Sequence, residues 1–194
     1  MKKLLLILPL LICLSSCNAQ PKEIPNKEWQ IKTAVLPLEE SLQPRAKVLG
    51  FDIEGKIVVI REGKNDMICL ADDPAKEGFS VAAYHKDLEP FMTRGRELKA
   101  QALSFQEIFD LREKEVSEGK LIMPDKSTLY VMNGELDENG EPINTKLRFV
   151  IYIPYATAES TGLPVAPPVP GAPWIMNPGT HRAHIMVTPN YEAE

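Results

Sequence analysis

The sequence predicts an α+β fold: a mostly antiparallel sheet of about six strands, with two helices between the third and fourth strands. Three observations carry this prediction. Six short apolar runs, several rich in β-branched residues, are bounded by turn-forming residues. Two segments with helical apolar periodicity stand together in mid-chain. Strands grouped on either side of a pair of helices are typical of α+β rather than of alternating α/β folds.

The six predicted strands cover residues 55–61, 66–71, 79–84, 129–132, 147–153 and 183–188. The first two are separated by the turn-like residues 62–65, which predicts that they form a hairpin. Several of the runs are apolar at nearly every position, so we expect both faces of those strands to be covered.

Asp87 is the predicted cap of the first helix, with Pro90 tolerated in its first turn. Its predicted buried face consists of Leu88, Phe91, Met92 and Leu98. The second helix opens on the capping box from Ser104 to Glu107 and is followed by Gly119 at the C′ position. Its predicted buried stripe consists of Phe105, Ile108, Phe109 and Val116. We expect both helices to pack on one face of the sheet.

The N-terminus has the three parts of an export signal. Lys2 and Lys3 precede an apolar run over residues 4–14, which is too short to span a membrane. The sequence Leu-Ser-Ser-Cys that ends at Cys17 resembles the lipobox of bacterial lipoproteins. The resemblance implies a signal peptide over residues 1–16 and acylation, for example with palmitate, of Cys17. An ordinary secretory signal with a chance cysteine is the alternative.

A lipoprotein of this kind is held in the cell envelope by its lipid, and we expect no other contact with the membrane. Asn18 follows the cysteine where the familiar inner-membrane signal has aspartate, so the resemblance favours the outer membrane. Residues 17–44 contain four prolines and predict a lipid anchor with an extended tether. Residues 45–189 then form one globular domain, and residues 190–194 a C-terminal tail.

Residues 154–178 contain seven prolines and predict a long Pro-rich loop before the last strand. The loop carries Tyr155 and Trp174, so it is a candidate recognition loop. A surface loop without any ligand is an equally good interpretation.

Several segments of residues 47–189 resemble a family of exported bacterial proteins with no assigned activity. They include residues 68–74, 81–85, 88–92 and 94–98. Further matching segments lie at residues 155–157, 160–163, 173–174, 178–180 and 183–186. The resemblance implies one intact domain, and it identifies no catalytic or binding residue.

The charge and the motifs exclude some function classes. The chain has 194 residues, a net charge of −5 and a pI near 5.4, without the basic stripe that a nucleic-acid footprint needs. It contains neither a GxGxxG fingerprint nor a Walker A motif, so no nucleotide cofactor is predicted, and the cofactor is left unknown.

His85, His181 and His184 are the only histidines, and three histidines can bind a metal ion. Asp72 and Asp73 could add carboxylate ligands. The spacing argues against a shared site, because residues three apart on a continuous strand point to opposite faces. The alternative is that His184 is a core residue and His181 a loop residue.

Other reactive groups have ordinary interpretations. Cys69 lies in an apolar run and is predicted to pack in the core. Ser160 and Thr161 are not part of a nucleophile elbow. Arg94, Arg96 and Lys99 form one basic group, for which ion pairs on the surface are the favoured interpretation over a ligand carboxylate.

Together these features predict a lipid-anchored envelope protein that acts as a binding or interaction module. The alternative is a metal-dependent enzyme, of the hydrolase type, that uses the histidines and aspartates. A structural protein of the envelope without a small ligand is a third hypothesis.

Overall fold

The computed structural model of this protein describes residues 23–191, so the predicted signal peptide and Cys17 lie outside the described residues. The helices are α1 (Lys27–Ala34), α2 (Glu89–Ala100), α3 (Phe105–Ser117) and α4 (Ala158–Thr161). The strands are β1 (Lys47–Phe51), β2 (Ile57–Arg61), β3 (Met67–Leu70), β4 (Phe79–His85), β5 (Ser127–Leu136), β6 (Pro142–Tyr152), β7 (Trp174–Met176) and β8 (His184–Val187). No helix within residues 23–191 is both long and apolar enough to cross a membrane.

One open sheet contains all of these strands in the order β2-β1-β3-β4-β5-β6-β8-β7. Every pairing is antiparallel except that of β1 with β3, which is parallel. The α+β class is therefore confirmed, and α2 and α3 do lie between β4 and β5. The prediction of about six strands is wrong, because β1 and the three-residue β7 were not recognised.

The predicted hairpin of β2 with β3 is also wrong. β2 pairs with β1, and β1 lies between β2 and β3. The connection over residues 62–66 crosses the start of β1, where the amides of Lys64 and Asn65 both donate to the Arg45 carbonyl at 2.7 and 3.2 Å. The turn-like residues thus form a crossover rather than a tight turn.

Both faces of the sheet carry a buried core. Alternate residues of the central strands face α2 and α3, and these include Leu49, Ile68 and Tyr84. Their neighbours in sequence, such as Val48 and Cys69, face the opposite side, where they pack on α1. The prediction that the two central helices share one face is therefore confirmed, and α1 packs on the opposite face.

The domain begins earlier than predicted. Helix α1 lies inside the segment expected to be an extended tether, and Ala34, Val35 and Leu38 are buried against the sheet. Gln30 fixes this docking, because its side-chain amide donates to the Phe51 carbonyl at 3.0 Å and accepts from the Phe51 amide at 2.7 Å. The tether prediction is wrong for these residues, since they form part of the core.

The two central helices follow the sequence closely. The capping box of Ser104 and Glu107 is present, and Gly119 follows α3 with a positive φ of 69°. The cap and the buried stripe differ from the prediction. The His85 side chain, not Asp87, caps the short 3-10 turn that precedes α2. On α3, Phe105 is exposed, Ile108, Phe109 and Val116 are half-buried, and the buried residue is Arg112.

The segment over residues 154–178 is more ordered than the predicted loop. It contains the strand β7 and the helix α4, whose N-terminus has a capping box between Thr157 and Ser160. Residues 164–170 between them are exposed, and the Ile175 amide of β7 donates to the Pro164 carbonyl at 2.9 Å.

Candidate functional site

The structure distributes the five predicted metal ligands over separate regions. His85 ends β4, and His184 begins β8, three strands farther along the sheet. Since neighbouring strands lie ~4.8 Å apart, the backbones of these residues are ~14 Å apart. Among residues 23–191, no group of three or more histidine, cysteine or acidic side chains is placed to hold a metal ion.

The aspartates lie at the opposite end of β4 from His85. Asp72 accepts a hydrogen bond from the Ser80 amide at 2.8 Å. Ser80 lies five residues before His85, so the two residues are ~16 Å apart along β4. Asp73 lies beside Lys76 and Lys99. His85 itself lies between the carboxylates of Asp66 and Asp87. Asp72 is buried, Asp73 pairs with surface lysines and His85 lies beside two surface carboxylates, so these groups do not form one site.

His181 is fully buried under α2 and α3 and belongs to a polar cluster that sequence reasoning did not find. Its ring packs edge-on against Phe91 and Phe109, with ring centroids 5.5 and 4.8 Å away. A carboxylate oxygen of Glu113 lies 2.7 Å from its Nδ1 and accepts from its backbone amide at 2.9 Å. Nδ1 therefore carries the proton of the neutral ring, since a carboxylate only accepts.

Glu113 links this buried histidine to a tyrosine at the surface. The Tyr155 hydroxyl also lies near the Glu113 carboxylate. Burial alone would raise the pKa of Glu113, but the hydrogen bonds from His181 and the neighbouring Tyr155 hydroxyl hold it below its ordinary value. Burial lowers the pKa of His181, which outweighs the opposite effect of Glu113, so the ring is neutral near pH 7.

Two arginines complete the cluster. The Arg112 guanidinium stacks 4.0 Å from the centre of the Phe91 ring, and Arg182 lies over Phe105 and Phe109. Burial, together with the charge of Arg182, lowers the pKa of Arg112 to about 10. His181 itself is fully buried between the aromatic rings, and its contacts join the loop before β8 to α3.

Tyr155 lines a cleft of about 500 Å³ at the end of β6. The walls also include Val116, Leu121 and Ile122. Tyr155 has a positive φ of 63°, which is strained for a residue with a side chain, and its amide donates to the Thr180 carbonyl at 2.8 Å. The backbone bond and the contact with Glu113 hold this conformation.

Trp174 lines a different cleft, of about 280 Å³, near the start of β6. One wall is the Pro-rich segment with Pro167, Pro170 and Ala172, and the other is the C-terminal segment over residues 188–191. Apart from Lys146, Thr188 and Asn190, the lining side chains are apolar or aromatic. The two residues of the predicted recognition loop therefore belong to separate clefts, and His85 lines neither.

The C-terminal wall of the Trp174 cleft is fixed by hydrogen bonds. The Tyr191 hydroxyl donates to the Leu147 carbonyl and accepts from the Leu147 amide, both at 2.9 Å. Gly171 has a φ of 83°, and a Cβ there would meet the Asn190 amide at 3.5 Å. The Tyr191 hydrogen bonds therefore hold this wall of the cleft in place, and Gly171 makes ordinary van der Waals contact with it.

The remaining candidates have structural roles. Cys69 is fully buried, which confirms the core prediction, and burial raises its pKa to about 12. Arg94 pairs with Glu115 at 2.6 Å and with Glu97, as the ion-pair interpretation predicted. Arg96 binds Glu89 at 2.7 Å and the Tyr84 hydroxyl at 3.0 Å.

Comparison with known proteins adds no family. No family profile matches the chain, and neither a curated protein nor a solved structure matches it.

Proposed function

We propose that this protein is a binding module of the cell envelope, and that the Trp174 cleft takes an apolar side chain of a partner protein. The observation that carries the proposal is the preformed apolar cleft between the Pro-rich segment and the C-terminal segment. Two exposed valines, Val165 and Val169, lie on the same segment and extend its apolar surface. The envelope location rests on the lipobox-like sequence at Cys17.

The size of the cleft favours a side chain over a small-molecule ligand. Its volume of about 280 Å³ is below the range typical of sites that enclose a small molecule. Interface hot spots are pockets of this kind, in which one aromatic or aliphatic anchor is buried and surrounding contacts exclude water. The lining of Trp174, Tyr191 and prolines suits such an anchor.

Fluorescence of single-tryptophan variants tests the cleft, because Trp29 and Trp174 are the only tryptophans. Trp29 lies on α1, where its Nε1 donates to the Gly140 carbonyl, outside the residues that line the cleft. In W29F, we expect the neutral apolar dye N-phenyl-1-naphthylamine to quench Trp174 emission saturably. In W174F, Trp29 emission should respond much less.

A blocking variant makes the test specific. Ala172→Glu places a charge in the apolar cleft and should abolish saturable quenching in the W29F background. Ile122→Glu, on an exposed residue of the Tyr155 cleft, is the matched control and should leave it intact. Absence of dye binding, or equal binding by the A172E variant, contradicts the assignment of this cleft.

A further inference from the structure

Strand β2 presents an open edge of the sheet. It pairs with β1 on one side, and no other strand of residues 23–191 pairs with its outer side. Its first four residues are Ile, Val, Val and Ile, and the side chains of Ile57, Val58 and Val59 are 40, 37 and 44% exposed. Natural edge strands are usually protected by proline or by charges along the strand, and residues 57–60 have neither.

The pairing with β1 determines which backbone groups of β2 point outward. The Asp52 amide donates to the Lys56 carbonyl, so these two residues form a hydrogen-bonded pair at the turn. Hydrogen-bonded and non-hydrogen-bonded pairs alternate in an antiparallel ladder, so the next hydrogen-bonded pair is Gly50 with Val58. The amides and carbonyls of Ile57 and Val59 therefore point away from β1 and are free to pair with another strand.

The charges at one end of β2 complement those at the other end when two copies of the strand pair antiparallel. Glu54 and Lys56 precede the apolar run, and Glu62 and Lys64 follow it. In an antiparallel pair of two β2 strands centred on Val59, Lys56 lies opposite the partner's Glu62. A pair centred on Val58, which is a register shift of two residues, would instead place Glu54 opposite the partner's Glu62, which is repulsive.

We propose that β2 is a self-association surface, on which a second copy of this chain pairs its own β2 antiparallel with Val59 at the two-fold axis. The two sheets then form one continuous sheet of sixteen strands. The outward backbone groups of Val59 bond to those of the partner's Val59, and the exposed apolar side chains of the two strands meet on both faces. The proposal is independent of the Trp174 cleft, because Trp174 lies on β7, the strand at the opposite edge of the sheet.

Sedimentation equilibrium of the purified protein measures the self-association. We expect a reversible monomer–dimer equilibrium over micromolar to submillimolar loading. Val59→Lys places two like charges at the two-fold axis and should weaken the dimer by more than about tenfold. Val169→Lys makes the same change at an exposed site on the Pro-rich segment and should leave the dimer unchanged. A monomer at every loading, or a dimer unaffected by V59K, would overturn the proposal.

A charge swap tests the register without changing the apolar residues. Lys56→Glu alone and Glu62→Lys alone each create a like-charge pair across the interface and should weaken the dimer. The double variant restores the opposite pairing and should recover the wild-type dissociation constant. If the double variant is as weak as the single ones, the proposed register is wrong.

Chemical cross-linking provides a geometric test. Directly opposite residues of an antiparallel hydrogen-bonded pair have Cα atoms ~5.5 Å apart, but their Cβ atoms lie beyond the ~3.5–4.5 Å that an unstrained disulfide needs. A short bis-maleimide reagent spans this gap, so Val59→Cys should form a cross-linked dimer when treated with it. Val169→Cys and the parent chain serve as controls for chance cross-linking. Equal yields at the two positions would contradict the two-fold axis at Val59.

Discussion

Removal of the Glu113 carboxylate should destabilise the protein far more than its position on a surface helix suggests. Glu113 accepts from the backbone amide and from Nδ1 of the fully buried His181. In Glu113→Ala both donors lose their acceptor, and each buried donor without a partner costs about 1–3 kcal/mol. Because the side chain of Glu113 is 31% exposed, water can replace part of the loss. We therefore expect the free energy of unfolding to fall by about 2–4 kcal/mol.

Two further variants separate the hydrogen bonds from other effects of the substitution. Glu113→Gln keeps the shape and one acceptor oxygen and should cost only about 1 kcal/mol. Glu118→Ala removes an exposed ion pair with Lys120 just after the same helix and should leave the free energy of unfolding almost unchanged.

Urea denaturation at pH 7.5, followed by circular dichroism, gives the free energy of unfolding of each variant. The slope of that free energy against urea concentration should stay constant, which shows that the folded and unfolded states are comparable. If the E113A variant is no less stable than the E118A variant, the argument that buried donors depend on Glu113 fails.

Three other predictions concern the buried groups and the helix cap. Burial lowers the pKa of His181 and of His184 from the ordinary value of 6.5, so the unfolded chain binds protons first on acidification. Stability should thus fall as the pH drops below about 6.5, by up to about 1.4 kcal/mol per pH unit for each histidine, and His181→Gln should reduce that slope in urea titrations at successive pH values. Cys69 should not react with a thiol reagent at pH 8 in the folded protein, and it should react at once in denaturant; rapid reaction of the folded state would show that the core opens there. Ser104→Ala should cost about 1 kcal/mol, measured by thermal denaturation, because it removes the capping box of α3, and an unchanged Tm would refute that role.

The Glu113–His181 pair shows why the candidate site could not be predicted from the chain alone. The two residues are 68 positions apart, and neither lies in a recognisable motif. The predicted metal set failed to converge for a related reason. His85 and His184 each end or begin a strand, but the order of strands in the sheet places two other strands between them.

The sequence by itself determined the features that depend only on residues close together in the chain. The helices α2 and α3, the capping box at Ser104 and the positive φ at Gly119 follow from local periodicity and backbone preference. Most of the longer strands follow from their apolar runs, since a run of β-branched residues favours an extended backbone whatever it pairs with.

Only the tertiary structure decided the pairing of the strands and the docking of α1. The apolar runs of β2 and β3 could pair directly, and the placement of β1 between them depends on contacts far apart in the chain. Helix α1 has no apolar stripe, because its buried face includes Gln30 and Thr33. Gln30 is suited to the core only because the Phe51 backbone satisfies its amide, and a buried polar group without such a partner would be costly.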